Sequence, residues 1–261
     1  MSIPVIGVPV VANTFWVSRL IASIDYPVDD LVIINNNGRG EFDQDLDNLV
    51  KMKHPNIKRM KVVHMPANIG VAGAWNLIIK CYMNAKYWLI CNDDVSFKSG
   101  CLKLIDEQFQ IPNMGMVHPE AGEWNIGTWD CFAIGENVVQ SFGLFDENTY
   151  PAYCEDADYI MRMAHRPIVK KVGLDKSFIH GYNEPIDYYE EGGGSNTGKS
   201  DDELGKKLTY SNELNIDYLT RKWGEGWRGI QPNKLPFENE ERDISFSIYD
   251  LNFVRSKHTG F

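Results

Sequence analysis

The stretch from Tyr87 to Val95, Tyr-Trp-Leu-Ile-Cys-Asn-Asp-Asp-Val, constrains the fold of this chain more than any other segment. An aromatic and apolar run too short for a helix ends abruptly in Asn92, Asp93 and Asp94, which is how a buried strand delivers polar groups to the rim of a sheet. In open α/β sheets ligands lie outside the carboxyl ends of the strands, so we expect these side chains at the ligand site. Alternation along the strand would place Asn92 and Asp94 on one side and Asp93 on the other.

Oxygen ligands this close together suit a hard divalent cation such as Mg²⁺ or Mn²⁺, particularly one that also holds a diphosphate. The alternative interpretation is a surface turn, because Asn-Asp-Asp is ordinary turn composition. Taken alone, these three residues leave both interpretations open.

The segments before Tyr87 alternate between strand and helix patterns. Strands are predicted over 3–12, 31–35 and 61–64, and helices over 15–24, 42–53 and 73–83. This order predicts a parallel sheet with right-handed crossovers. The second strand ends in Asn35-Asn36-Asn37-Gly38, another polar cluster, so the strand ends are expected to converge on one crevice.

The segments after Asp94 add shorter elements. Helical patterns cover 102–109, 138–142 and 201–223, and strand patterns cover 115–118, 130–133, 168–172 and 177–180. The cluster Cys154-Glu155-Asp156-Ala157-Asp158 is predicted to precede a helix from Tyr159 to His165, where the helix dipole favours acidic residues. Capping accounts for one or two carboxylates, and three in four residues is more than a cap requires.

Three further features each carry two interpretations. The segment 124–129 is typical of a sugar-stacking surface, although a pair of core tryptophans is commoner. The glycine-rich segment 190–200 is either a lid that orders over a substrate or a linker. His180 ends the last predicted strand, where a histidine is usually structural but is also a good metal ligand.

The overall charge argues against one class of main partner. The 261 residues carry a formal net charge of −10 and show no cluster of Lys and Arg. A nucleic acid is therefore not expected as the main partner, because its backbone is bound through such clusters.

The cysteines and the apolar segments bear on location. The five cysteines are scattered without a Cys-x-x-Cys pair, so we expect reduced thiols, most of them buried, in the cytoplasm. The sequence shows no signal-peptide pattern at its start and no apolar stretch of 18 residues, so neither a leader nor a transmembrane segment is expected.

Several segments taken together resemble the GT-A fold inverting glycosyltransferases of the large family 2-like group, over residues 3–224. The resemblance rests on motifs that follow the family's order: Pro9-Val10-Val11-Ala12-Asn13, Ile33 to Gly38, Asn68 to Asn76, Asn92-Asp93-Asp94, Gly143 to Glu147, Glu155 to Asp158, His180, and Arg221 to Gly224. The most specific pair is Gly143-Leu144-Phe145-Asp146-Glu147 followed by Glu155-Asp156-Ala157-Asp158. The resemblance implies an α/β GT-A (nucleotide-diphospho-sugar transferase) fold with a mostly parallel central sheet flanked by helices.

The resemblance also implies roles for individual residues. Asp156 would be the general base, with Glu155 and Asp158 positioning acceptor groups or tuning Asp156. Asp94 and His180 would bind Mn²⁺ or Mg²⁺, with Asn92 as a weaker ligand. Residues expected at the nucleotide-sugar donor are Pro9, Val11, Asn13, Asn36, Asn68, Gly73, Asn76, Asn92 and Asp93. Asn36 stands where such enzymes have an acidic residue near the base, which leaves the base preference open.

The implied function is metal-dependent, inverting transfer of a sugar from a nucleotide-diphosphate sugar to a hydroxyl of a glycan or small acceptor. One alternative is a nucleotidyltransferase, although residues 10–15 lack the Gly-rich, Lys- or Arg-bearing phosphate loop that usually follows the first strand of such enzymes. A second alternative is a nucleotide-sugar-binding module without turnover, which Asn36 and Asn92 keep open. The expected organisation is a domain over 1–224, with a nucleotide-binding half over about 1–95, an acceptor half over about 96–224, and an extension over 225–261.

Overall fold

The computed structural model describes residues 1–11, 14–119, 129–164, 170–174, 178–180, 202–229 and 231–238, with the backbone alone for 178–180 and 202–203. The strands are β1 Ile3–Val10, β2 Val28–Asn35, β3 Ile57–His64, β4 Tyr87–Cys91, β5 Val95–Phe97, β6 Met114–His118, β7 Cys131–Gly135, β8 Lys170–Gly173 and β9 Phe178–His180. The helices are α1 Phe15–Ala22, α2 Asp43–Lys51, α3 Gly70–Cys81, α4 Cys101–Phe109, α5 Glu136–Phe142, α6 Glu155–Ala164 and α7 Asp202–Trp223, followed by a 3-10 helix at Glu225–Gly229.

Seven of these strands form one sheet in the order β3-β2-β1-β4-β7-β6-β8. Strands β1 to β4 are parallel neighbours, β7 runs antiparallel to β4 and β6, and β8 is parallel to β6. A separate two-stranded antiparallel sheet pairs β5 with β9. The predicted mostly parallel central sheet is therefore confirmed, and the carboxyl ends of β1 to β4 lie along one edge.

The sheet is buried on both faces. Consecutive residues of β2 point to opposite sides, so Ile33 belongs to one apolar cluster and Ile34 to the other. The first cluster includes residues of α1, α2 and α4, and the second includes residues of α3, α5 and α6. Burial on both faces explains why β1, β2 and β4 read as largely apolar runs, whereas the edge strand β3 carries charged residues and buries only Ile57.

Helix α7 adds a third apolar cluster beside α6. Its members are Cys154, Met161, Tyr218, Leu219, Trp223 and Trp227. Trp227 lies in the 3-10 helix, so the first residues of the predicted extension 225–261 pack onto α7. The predicted domain boundaries stay a prediction.

The structure changes several predicted boundaries. Strands β2 and β3 begin three and four residues earlier than predicted, and the short β5 was not predicted. Helix α6 begins at Glu155, so the acidic cluster forms its first turn instead of preceding it. The segment 124–128, the glycine-rich segment 190–200 and Asn13 lie outside the described residues.

The cysteine prediction is confirmed, because all five are free thiols and all but Cys81 are buried. The cytoplasmic location inferred from them stays a prediction. Among the helices that the structure describes, none combines the length and the apolar character needed to cross a membrane.

Gly7 allows α3 to pack closely on β1. A Cβ atom at this position would lie 2.4 Å from Cγ2 of Ile78, whose side chain is fully buried on α3. We expect Gly7→Ala to lower the free energy of unfolding by about 1–3 kcal/mol, because the helix must shift away from the sheet. Urea denaturation would measure this loss. Gly229→Ala is the matched control, since no heavy atom lies within 4 Å of the added carbon, and an equal effect of the two changes would contradict the packing argument.

Candidate active site at the edge of the parallel sheet

One cavity of about 410 Å³ opens at the carboxyl ends of the parallel strands. Of the donor-site residues predicted from sequence, those that line it are Pro9, Val11, Asn36, Asn68, Asn92 and Asp93. Both predicted catalytic carboxylates, Glu155 and Asp156, line it as well. The cavity therefore brings together side chains that are separated by more than a hundred residues in the sequence.

Asn92, Asp93 and Asp94 form a buried turn between β4 and β5. The backbone N–H of Asn92 donates to the carbonyl of Asp130 at 2.7 Å, and the N–H of Val95 donates to the carbonyl of Asn92 at 3.4 Å. Asp93 and Asp94 are only 4% and 2% exposed. The alternation expected from an extended strand is not observed, because the chain turns at Asp93 and Asp94. The alternative of a surface turn is also wrong, because both carboxylates are buried.

The oxygen ligands that this turn offers fit a hard divalent cation. Asn92 and Asp94 offer amide and carboxylate oxygens, and β5 pairs with β9 so that the backbone of His180 lies opposite Val95, the residue after Asp94. Oxygen ligands with one imidazole suit Mn²⁺ or Mg²⁺. Among the side chains that the structure describes, which exclude that of His180, no three His, Cys, Asp or Glu residues cluster as a metal site. Asp94 is not among the cavity-lining residues.

Glu155 and Asp156 are the first two residues of α6, and both line the cavity. Burial raises the pKa of Glu155 well above its ordinary value, and the neighbouring charge of Asp156 raises it further. Burial also raises the pKa of Asp156, partly offset by the backbone N–H of Ala157, which donates to its Oδ1 at 2.7 Å. A carboxylate with a raised pKa is a better proton acceptor, which is what general-base catalysis requires.

Asn36 holds the loop that leads into α3. Its Oδ1 accepts from the N–H of Ile69 at 2.8 Å, and its Nδ2 donates to Oδ1 of Asn68 at 3.1 Å and to the carbonyl of Gly70 at 3.2 Å. Both amide hydrogens of Asn36 are therefore engaged by the protein. An acidic residue at this position would face two oxygen acceptors, which explains why the amide suits this loop.

The same loop joins the two parts of the chain that surround the cavity. The N–H of Val71 donates to the carbonyl of Pro151 at 2.7 Å, and the hydroxyl of Tyr150 donates to the carbonyl of Asn68 at 3.1 Å. Gly70 adopts a positive φ of 76°, and a Cβ there would lie 3.0 Å from the carbonyl oxygen of Pro151. Glycine is thus required for this close approach.

Gly73 and Asn76, both predicted at the donor site, do not line the cavity. Asn76 is 1% exposed and bonds the backbone of Phe145 twice, accepting from its N–H at 2.8 Å and donating to its carbonyl at 2.9 Å. Its amide also donates to Oε1 of Glu147 at 2.8 Å. Asn76 therefore ties α3 to the Gly143–Glu147 motif.

Trp129 belongs both to the core and to the cavity wall. It is 8% exposed and contacts an aromatic cluster that comprises Trp75, His118, Phe132, Phe145 and Tyr159. The core interpretation is confirmed for this residue. Since Trp129 also lines the cavity, the two interpretations do not exclude each other here.

Sequence reasoning missed a buried charge cluster around Lys222. Its Nζ lies 2.6 Å from Oδ2 of Asp146 and 2.6 Å from Oδ1 of Asp158, and the hydroxyl of Tyr218 also donates to Asp146 at 2.6 Å. Asp158 is fully buried and accepts in addition from the indole N–H of Trp223 at 2.8 Å. These contacts do not fit the predicted role of Asp158 in positioning acceptor groups, because its carboxylate is committed to α7. The Arg221 to Gly224 motif was the available signal.

Comparison with known proteins identifies the family of this chain. A model of the family described as "Glycosyl transferase family 2" matches residues 11–165. A protein of Leishmania donovani named "Galactofuranosyl glycosyltransferase" is 25% identical, with the match covering 68% of this chain and 56% of that protein. The chain thus spans little more than half the length of this relative.

Solved structures of TarS from S. aureus share the fold. The complex of TarS 1–349 with UDP-GlcNAc matches with a TM-score of 0.55 and 12% identity, over 71% of this chain and 60% of that one. The complex with UDP matches with a TM-score of 0.52 and 10% identity, over 83% and 65%. The predicted GT-A fold class is therefore confirmed.

Proposed function

Because this chain belongs to glycosyltransferase family 2, we propose that it transfers a sugar from a nucleotide-diphosphate sugar to an acceptor hydroxyl with inversion at the sugar carbon. The observation that carries this proposal is that one cavity is lined both by Asn92 and Asp93 and by Glu155 and Asp156. A donor and an acceptor can meet only where both sets of groups reach the same space.

The acceptor is activated by Asp156. The acceptor oxygen attacks the anomeric carbon and loses its proton to the carboxylate of Asp156, while the bond to the diphosphate oxygen breaks and its electron pair leaves with the nucleotide. The raised pKa of Asp156 suits this step, because the carboxylate must hold the proton once it is taken. Attack from the side opposite the leaving group inverts the configuration.

The leaving diphosphate needs positive charge beside it. Asp94, His180 and Asn92 are the residues that would hold Mn²⁺ or Mg²⁺, and the bound ion would neutralise charge on the leaving oxygens. Asp93 lines the cavity and would contact the donor sugar or the ribose. The donor side would also include Pro9, Val11, Asn36 and Asn68, which line the same cavity.

A panel of nucleotide sugars tests this function. Purified protein with Mn²⁺ would be offered UDP sugars first, because the TarS structures contain UDP-GlcNAc and UDP, and UDP-galactofuranose among them, because of the name of the Leishmania relative. A glycan acceptor is expected to increase nucleotide release over slow donor hydrolysis. Donor binding without any release would instead identify a binding module.

Asp94→Ala tests the metal site. We expect Mn²⁺-dependent binding of UDP, measured by isothermal calorimetry, to weaken at least about 10-fold, because loss of a single supporting group commonly costs about 10–100-fold in metal affinity. Binding of UDP in the presence of EDTA should be unchanged, which separates a metal effect from misfolding. Asp45→Ala, in the first turn of α2 and away from the cavity lining, is the control. An unaltered Mn²⁺-dependent isotherm for Asp94→Ala would remove this residue from the metal site.

A further inference from the structure

The backbone immediately before the two cavity carboxylates is held in an uncommon conformation. Tyr153 and Cys154 adopt positive φ angles of 72° and 74°, and Glu155 and Asp156 follow directly. Residues other than glycine rarely adopt this left-handed region, and two in succession need outside support. The conformation sets the direction in which α6 begins, and so the direction in which its first side chains enter the cavity.

Asn215 of α7 supplies support from outside the loop. Its Nδ2 donates to the carbonyl of Ala152 at 2.9 Å and to the carbonyl of Tyr153 at 3.1 Å, which uses both hydrogens of the amide. The residue is 2% exposed. One buried side chain, more than 60 positions away in the sequence, therefore bonds the peptide group before Tyr153 and the peptide group between Tyr153 and Cys154.

Helix α7 is also fixed to α6 about two turns after Asn215. Lys222 and Trp223 both contact the carboxylate of Asp158, and Lys222 also reaches Asp146. The Sγ of Cys154 adds a weaker contact to Oδ1 of Asn212 at 3.8 Å. The loop and the first turn of α6 are thus held against α7 at several points, and Asn215 makes the two hydrogen bonds to the loop carbonyls.

We propose that Asn215 is a positioning residue that keeps the left-handed Tyr153–Cys154 backbone in place and so aims Asp156 at the acceptor. This inference rests on the proposed glycosyl transfer with Asp156 as the base. Without the two hydrogen bonds the loop can relax to negative φ angles, which turns the start of α6. The donor contacts on β1, β2 and the Asn92–Asp94 turn are unaffected, because they come from other elements.

The test is the steady-state kinetics of Asn215→Ala with the sugar nucleotide found active in the panel. We expect kcat to fall about 10–100-fold with the donor KM within about twofold, since a displacement of about 1 Å can cost 10²-fold in rate. The acidic limb of the pH profile should move to lower pH, because a loosened loop admits water and lowers the pKa that burial had raised at Asp156. Partial loss of folding would also lower the apparent kcat without changing KM, so the shift of the pH profile is the result that separates a positioning role from a loss of folded protein.

Three further variants keep the result decisive. Asn215→Asp has the same shape but cannot donate, so it should lose as much activity as Asn215→Ala, while Asn215→Ser keeps one donor and should lose less. Ser211→Ala is the matched control, because Ser211 is also 2% exposed on α7 but, within the described part of the chain, its hydroxyl bonds the carbonyl of Leu208 in its own helix. Circular dichroism and calorimetry with UDP and Mn²⁺ would verify that each variant is folded.

Two outcomes separate this inference from the function on which it rests. If the unmodified protein transfers sugar and Asn215→Ala keeps its kcat within about twofold and its pH profile, the positioning role is refuted and the transferase assignment stands. If the unmodified protein transfers no sugar from any nucleotide donor, the proposed function fails first and the positioning role falls with it.

Discussion

Asp156→Asn is expected to reduce sugar transfer about 10²–10⁴-fold, the usual contribution of a general base. Asparagine has nearly the same shape but cannot take the acceptor proton. Binding of UDP with Mn²⁺, measured by calorimetry, should be unchanged, because the donor side of the cavity is built from other elements. The loss should therefore fall on kcat, and donor hydrolysis should fall with it.

The pH dependence provides a second measurement on the same residue. Asp156 must be ionised to accept the proton, and burial raises its pKa. Activity of the unmodified protein should therefore fall on the acid side at a pH above the value of about 3.9 that is typical of an unperturbed aspartate. The residual activity of Asp156→Asn should not show this fall at acid pH.

Glu155→Gln is the matched control, because Glu155 precedes Asp156 in the same turn and also lines the cavity. We expect it to retain more activity than Asp156→Asn. Its own raised pKa depends partly on the charge of Asp156, so the two groups should be compared at several pH values. The opposite ranking of the two variants would make Glu155 the base.

The sheet could be predicted because strands that are buried on both faces appear in the sequence as short apolar runs. The apolar runs that became β1, β2 and β4 are too short for helices, and polar residues mark their ends. The order of elements then predicts that these ends share one edge. This is why the polar clusters around Asn36 and Asn92 could be assigned to one crevice before their distances were known, whereas Pro9 was expected there only from the family resemblance.

The direction of side chains at the strand ends could not be predicted in the same way. The alternation rule applies only while the chain is extended, and Asp93 and Asp94 already lie in a turn, which the N–H of Val95 closes on the carbonyl of Asn92. Asn92, just before the turn, is still held to the sheet by the carbonyl of Asp130, 38 positions away. Neither composition nor periodicity within the segment records such a partner.

Carboxylates that serve packing look the same in sequence as carboxylates that serve chemistry. Glu155, Asp156 and Asp158 lie within four positions, yet the first two line the cavity and the third is buried against Lys222. The helical period separates them, since α6 begins at Glu155 rather than after the cluster. The partner on α7, 64 positions later, became visible only in the folded chain.

Lys222→Met is expected to produce the largest loss of stability, about 3–5 kcal/mol, because it removes the cation shared by two buried carboxylates. The side chains of Lys222, Asp146 and Asp158 are 10%, 13% and 0% exposed. Asp158 keeps its ion pair with Arg162 at 2.9 Å, so the uncompensated charge would be mainly that of Asp146. Methionine fills a similar volume, so the loss would reflect this charge rather than a cavity. Urea denaturation at pH 7 would measure it.

Arg221→Met is the matched control on the neighbouring residue. Arg221 pairs with Asp217 at 3.4 Å, but these side chains are 47% and 72% exposed, and exposed pairs contribute only about 0.2–1 kcal/mol. The double variant Lys222→Met with Asp146→Asn should be more stable than Lys222→Met alone, because it leaves one buried carboxylate fewer without a cation. Equal losses for Lys222→Met and Arg221→Met would contradict the cluster's role.

Acid titration of stability gives an independent measure of the same cluster. Burial alone would raise the pKa of Asp146, but the charge and hydrogen bond of Lys222, together with the hydroxyl of Tyr218, lower it to about 2. A lowered pKa in the folded state stabilises the protein above the ordinary value of 3.8, and this contribution, about 2 kcal/mol, is lost as the pH falls toward 2. In Lys222→Met the pKa of Asp146 is no longer lowered by Lys222, and burial raises it instead. Protonation of Asp146 should therefore no longer reduce the stability of this variant as the pH falls through this range. If both proteins lose stability equally between pH 4 and about pH 2, Lys222 is not what keeps the carboxyl of Asp146 ionised.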